Sequence, residues 1–106
     1  MSAIEVIVLH GELDIARRDE ARFALRVDGT ESGILLDFSE VSYADSTILS
    51  AILAFVKDAD ERGIPVAILT GTPQFDRIIQ YAGLSDALPI FADRSLALTH
   101  LSSGRR

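Results

Sequence analysis

Asp45, Ser46 and Thr47 stand in a row ahead of the largely apolar stretch ILSAILAFV. A carboxylate and two hydroxyls in that position have two uses. Asp45 or Ser46 can cap a helix by accepting a bond from a free backbone N–H, a need that every helix has. A hydroxyl there can also accept phosphate, since unpaired N–H groups and the positive end of the helix dipole would hold the added group. Phosphate on Ser46 would add about −1.5 to −2 charges next to Asp45 and near Asp14, turning a hydrogen-bonding patch into one that repels acidic surfaces. The triplet alone leaves both uses open.

Other chemistry finds no constellation. TGTPQ, residues 70–74, lacks the glycine spacing and the lysine of a phosphate loop, and no G-x-G-x-x-G follows the first apolar run. No G-x-S-x-G surrounds a serine, and neither His10 nor His100 has a partner at metal-ligand spacing, so no catalytic residue, metal or cofactor is expected. His10 reads as a structural residue at a strand end, and His100 as a solvent-facing residue near a helix C-terminus. Asp37, at the end of the short apolar run 33–38, imitates the phosphoacceptor of a receiver domain. Such a domain also needs an acidic pair after the first strand and a late lysine, whereas here LHGELD closes the strand and the only lysine is Lys57. Asp37 is therefore expected to be structural or a loop former. An enzyme is not expected, because no convergent catalytic set is present.

The elements that must position the triplet follow from apolar periodicity and from glycine and proline punctuation. Ile4 to His10 reads as a strand ending at Gly11. Asp14 then caps a helix that stops near Gly29, Gly33 to Phe38 is a buried strand, and a second helix runs from Thr47 to about Arg62 and closes at Gly63. IPVAILT is another buried strand. Thr72 and Pro73 supply a cap and a first helical residue for a helix ending at Gly83. ALPIF is a short strand, and Asp93 caps a last helix. Residues 102–106 read as a flexible tail. The order β-α-β-α-β-α-β-α predicts an α/β fold, one small and mostly parallel sheet with about four helices, in a single domain over residues 1–106.

The helix after the triplet carries two apolar ridges. Leu49, Ile52, Leu53 and Val56 follow the spacing of a core stripe, and Ile48, Ala51 and Phe55 form a second. Either a neighbouring helix covers the second ridge, or it is an exposed patch that docks a partner beside Ser46.

Composition narrows the partners. Of 106 residues, 48% are hydrophobic and 25% charged, as in an ordinary soluble protein. The net charge of −6 opposes binding to nucleic acid or an anionic membrane surface. The N-terminal stretch reads as a strand rather than a signal peptide, and no run approaches the ~20 apolar residues of a membrane span. With no cysteine for disulfides or thiol chemistry, these features suit a cytoplasmic protein.

GELD closing the first strand, ILLDFSEVSYADST leading into the second helix, GIPVAIL, and RIIQYAGLSDALPIFADRSLAL together resemble the STAS domain, and more specifically the bacterial anti-sigma factor antagonists. The similarity runs from about Ile4 to Leu101. It implies a regulatory binding protein rather than a catalyst, one that switches partners in transcription regulation and stress response. The partner would be an anti-sigma factor with serine kinase activity. That kinase would phosphorylate Ser46 and so be released, and a serine phosphatase would restore the serine. Asp14 and Asp45 would flank the docking surface, with Thr47 as a secondary hydroxyl. Two departures stand out. Ile48 replaces the family's glycine and would crowd a kinase approaching Ser46 or change which kinase fits. The first strand matches the family's second, which would leave a sheet edge open to pairing or to a homodimer. The alternative role is an unphosphorylated STAS adaptor subunit, of a transporter ATPase or a stress-sensing complex, docking through Ile48, Ala51 and Phe55.

Overall fold

The structure is a computed structural model that describes residues 4–17, 25 and 33–103. Four strands form one parallel sheet in the order β1 (Ile4–Leu13), β2 (Gly33–Ala44), β3 (Val66–Thr70) and β4 (Ile90–Phe91). Three α-helices lie among the described residues: α1 (Ser46–Glu61), α2 (Pro73–Tyr81) and α3 (Arg94–Ser103). The helix expected from Asp14 to Gly29 falls mostly outside them. Its described start is a 3-10 turn, Ile15–Arg17, with Asp14 Oδ1 accepting from the Ala16 N–H at 3.0 Å.

Alternation along β2 and β3 divides the core in two. Ile34, Leu36, Phe38, Val66 and Ile68 meet α1 and α2 on one face, where Phe38 and Phe75 stack with centroids 5.5 Å apart. Leu35, Ala67 and Leu69 meet Ala97 and Leu101 of α3 on the other. A parallel sheet covered on both faces needs strands apolar on both sides, which is why these two read as continuous apolar runs.

Both early strands outrun their sequence signals. β1 passes Gly11 to reach Leu13, and β2 passes Phe38 to reach Ala44, because register shifts after Val8 and after Gly11 let the pair keep bonding. Asp37 consequently sits in mid-strand. Arg94 reaches it from the start of α3, and Ser39 donates to its Oδ1 from both its N–H (2.9 Å) and its hydroxyl (2.6 Å). The carboxyl ties β2 to α3, and its mid-strand place rules out the loop-forming alternative.

Helix ends follow local chemistry at Gly63, Gly83 and Asp93 but not at Thr72. Gly63 and Gly83 take φ of 73° and 74° just beyond α1 and α2, and the next residues, Ile64 and Leu84, donate back to Ala59 and Ile79 in paired Schellman closures. Asp93 Oδ1 accepts from the Ser95 N–H at 2.7 Å at the start of α3. Thr72 is the exception: its side chain makes no capping bond, and its hydroxyl donates instead to the carbonyl of Val41. The last helix runs through Ser103, so residues 102 and 103 are not a tail; buried Leu101 pins the final turn to the sheet. His100 is half-buried rather than solvent-facing, its ring 5.1 Å from that of Phe91.

Candidate functional site

The carboxyl ends of β1 and β2 bring the acidic residues together. Leu13 pairs with Ala44 as the last register match of the two strands, so Asp14 and Asp45 leave the sheet side by side. The Asp45 N–H donates to the Leu13 carbonyl at 3.2 Å and closes the junction. Past the end of β3, Ala44 has no strand on its other side, and the side chain of Gln74 takes that place. Its Oε1 accepts from the Ala44 N–H at 3.1 Å, and its Nε2 donates to the Ala44 carbonyl at 3.0 Å. The backbone on the approach to the triplet is thereby satisfied on both sides, as the full burial of Ala44 requires.

Asp45 is the cap of α1. In extended conformation, its Oδ1 accepts from the N–H groups of Thr47 at 3.0 Å and Ile48 at 3.2 Å. This division of labour leaves Ser46 as the first helical residue, exposed, with no hydrogen bond from its hydroxyl among the described residues. Thr47 is half-buried beside it. The same geometry corrects the expectation that free N–H groups would cradle a phosphate on Ser46, because Asp45 already occupies two of them.

The second ridge of α1 is not a surface. Ile48 is fully buried, Phe55 is 4% exposed and Ala51 8%, all within the core cluster that includes Leu25. Docking through Ile48, Ala51 and Phe55 is therefore overturned: a helix lying against a sheet with neighbours on its flanks buries both ridges. For the same reason Ile48 does not crowd Ser46, since its side chain points inward.

In its first three turns α1 exposes Ser46, Ser50 and Ala54, at successive i, i+4 positions, with the Ser50 hydroxyl donating to the Ser46 carbonyl at 3.2 Å. Tyr43, 42% exposed and in register with exposed Glu12, stands two residues before the cap. Sequence reasoning missed Tyr43, Ser50 and Gln74. Tyr43 was legible in part, as an aromatic in an otherwise polar stretch. Gln74 carried no signal, because its partner lies 30 residues away. Arg17 donates from one nitrogen to the carbonyls of His10 (3.1 Å) and Glu12 (2.9 Å), holding the end of β1 in place.

The site is small-featured, acidic and polar. Among the described residues no group of three or more His, Cys, Asp or Glu is placed to hold a metal, and no helix is long and apolar enough to cross a membrane. A cavity of about 500 Å³ lies at the opposite, amino-terminal end of β3, walled by Leu53, Val56, Ile64 and Leu88, and takes no part in it.

The STAS domain family model matches residues 2–97. The anti-sigma-B factor antagonist of Listeria monocytogenes is 31% identical over 86 residues, which are 79% of this chain and 75% of that protein. The fold is shared with the crystal structure of an anti-sigma factor antagonist from Mycobacterium paratuberculosis, with a TM-score of 0.87 at 20% identity over 97% of this chain and 89% of the other. It is shared too with the Bacillus cell fate determinant SpoIIAA in its phosphorylated form, with a TM-score of 0.64 at 22% identity over 95% and 93% of the two chains. With its model spanning nearly the full sequence and a relative of 31% identity alongside, the chain belongs to the STAS domain family.

Proposed function

We propose that this protein is an anti-sigma factor antagonist, switched by phosphorylation at Ser46. In its unmodified form it binds an anti-sigma factor with serine kinase activity and so frees a sigma factor. Phosphorylation by that kinase ends the complex, and a serine phosphatase restores it. The observation that carries the reading is that Asp45 alone performs the capping, which leaves the Ser46 hydroxyl exposed at the rim of the sheet and, among the described residues, unbonded. The names of the 31% identical relatives support the binding role.

The proposed release is electrostatic. A phosphoryl group at Ser46 brings about −1.5 to −2 charges beside the carboxylates of Asp45 and Asp14. With the N–H groups of Thr47 and Ile48 engaged by Asp45, little of that charge is neutralised locally. It projects outward from the Tyr43, Ser46 and Ser50 surface, where an apposed partner must desolvate it.

The test measures affinity for a kinase-type anti-sigma factor in the presence of Mg-ATP. Ser46→Ala binds stably, and Ser46→Asp binds at least about tenfold more weakly, the effect of one uncompensated interface charge. Equal affinities for the two variants would sink the switch.

A further inference from the structure

A second pocket, of about 280 Å³, opens at the carboxyl ends of β3 and β4, over α2. Ligands of parallel α/β sheets collect at this end of the strands. Its polar wall is Thr70, Asp76, Gln80 and Ser85, and Ile79 and Ile90 form an apolar one. Thr70, the last residue of β3, is 5% exposed. Asp76 Oδ1 is buried and finds no hydrogen-bond partner among the described residues. A carboxylate oxygen left buried without a donor is disfavoured, so Asp76 calls for one.

The walls specify that donor. Asp76 is the only charged residue among the described ones that line it, so the complement is a cation. A divalent metal would want several carboxylates, and among the described residues no such group exists. The hydroxyls of Thr70 and Ser85 and the Gln80 carbonyl are neutral acceptors suited to the three N–H bonds of an ammonium head. Ile79 and Ile90 suit a short hydrocarbon body. The volume lies just below the ~300 Å³ at which ordinary ligand sites begin, which limits the occupant to a few carbons.

We propose that this pocket binds a small primary alkylammonium ion, its head on Asp76 and its chain against Ile79 and Ile90. The site is independent of Ser46 and of any protein partner.

The experiment is a titration of the 106-residue chain, uniformly labelled with nitrogen-15, with n-butylamine at neutral pH, followed by two-dimensional amide NMR. Butan-1-ol and butyrate serve as neutral and anionic analogues of the same length. Saturable shifts at Thr70, Asp76, Gln80 and Ser85 are expected for butylamine, at concentrations about tenfold below those needed for butanol, with none for butyrate. Asp76→Asn, which keeps the shape, brings butylamine down to butanol's affinity, and Ser46→Ala leaves its binding unchanged. Ser85→Leu, at an exposed position on the rim, weakens butylamine severalfold and serves where Asp76→Asn disturbs folding. No saturable shift, equal response to all three probes, or undiminished binding by Asp76→Asn overturns the proposal and leaves water as the occupant.

Discussion

Replacing Asp45 by alanine separates capping from switching. Asp45 Oδ1 is the acceptor for two N–H groups of the first turn of α1, at 3.0 and 3.2 Å, in a half-buried setting. Loss of an N-cap acceptor costs typically ~1 kcal/mol, and loss of a negative charge at the helix N-terminus adds about 0.3–1 kcal/mol. Asp45→Ala is thus expected to be less stable by about 1–2 kcal/mol. At roughly 4–8 °C per kcal/mol for a domain of this size, Tm falls by roughly 4–16 °C. Ser46→Ala removes an exposed hydroxyl with no hydrogen bond among the described residues, and its effect stays within about 0.5 kcal/mol. Asp45→Asn retains the accepting oxygen and loses only the charge, so it recovers most of the difference. Urea unfolding followed by far-ultraviolet circular dichroism measures all three against the unsubstituted protein. If Ser46→Ala destabilises as much as Asp45→Ala, the serine shares the cap and the reasoning that frees its hydroxyl fails. If Asp45→Asn is as unstable as Asp45→Ala, charge and not the hydrogen bonds accounts for the effect.

Two further outcomes follow from buried groups. Burial pushes the Asp37 carboxyl up, but the Ser39 hydroxyl and N–H, with the Arg94 guanidinium, outweigh it and hold the group below its ordinary 3.8. A carboxyl lowered in the folded state stabilises fully above its unfolded value and loses that contribution as pH falls through the folded one. Asp37→Asn should therefore unfold at lower urea than the unsubstituted protein at neutral pH, with the gap narrowing only below about pH 4; a gap that is constant with pH would refute the linkage. Phe55→Glu places a charge where the ring is 4% exposed and should abolish cooperative unfolding, while Phe55→Ala costs about 3–5 kcal/mol. A folded Phe55→Glu that has lost only partner binding would restore the docking ridge.

The sequence by itself determined what is encoded within a few residues. Continuous apolar runs marked β2 and β3 as strands buried on both faces, Gly63 and Gly83 marked the ends of α1 and α2, and Asp93 marked the start of α3. The β-α order then left a parallel sheet as the solution, and the triplet was placed correctly at a helix start. Tertiary structure decided what depends on distant partners. Two residue types fit the cap of α1 equally well by propensity, and Asp45 took it where the β1 and β2 ends meet. Ile48, Ala51 and Phe55 look the same in sequence whether covered or exposed, because periodicity reports how many apolar faces a helix has and not what lies against them. Arg94 finds Asp37 across 57 residues, and Gln74 finds Ala44 across 30, through the packing of helices that local signals place in order but not in contact.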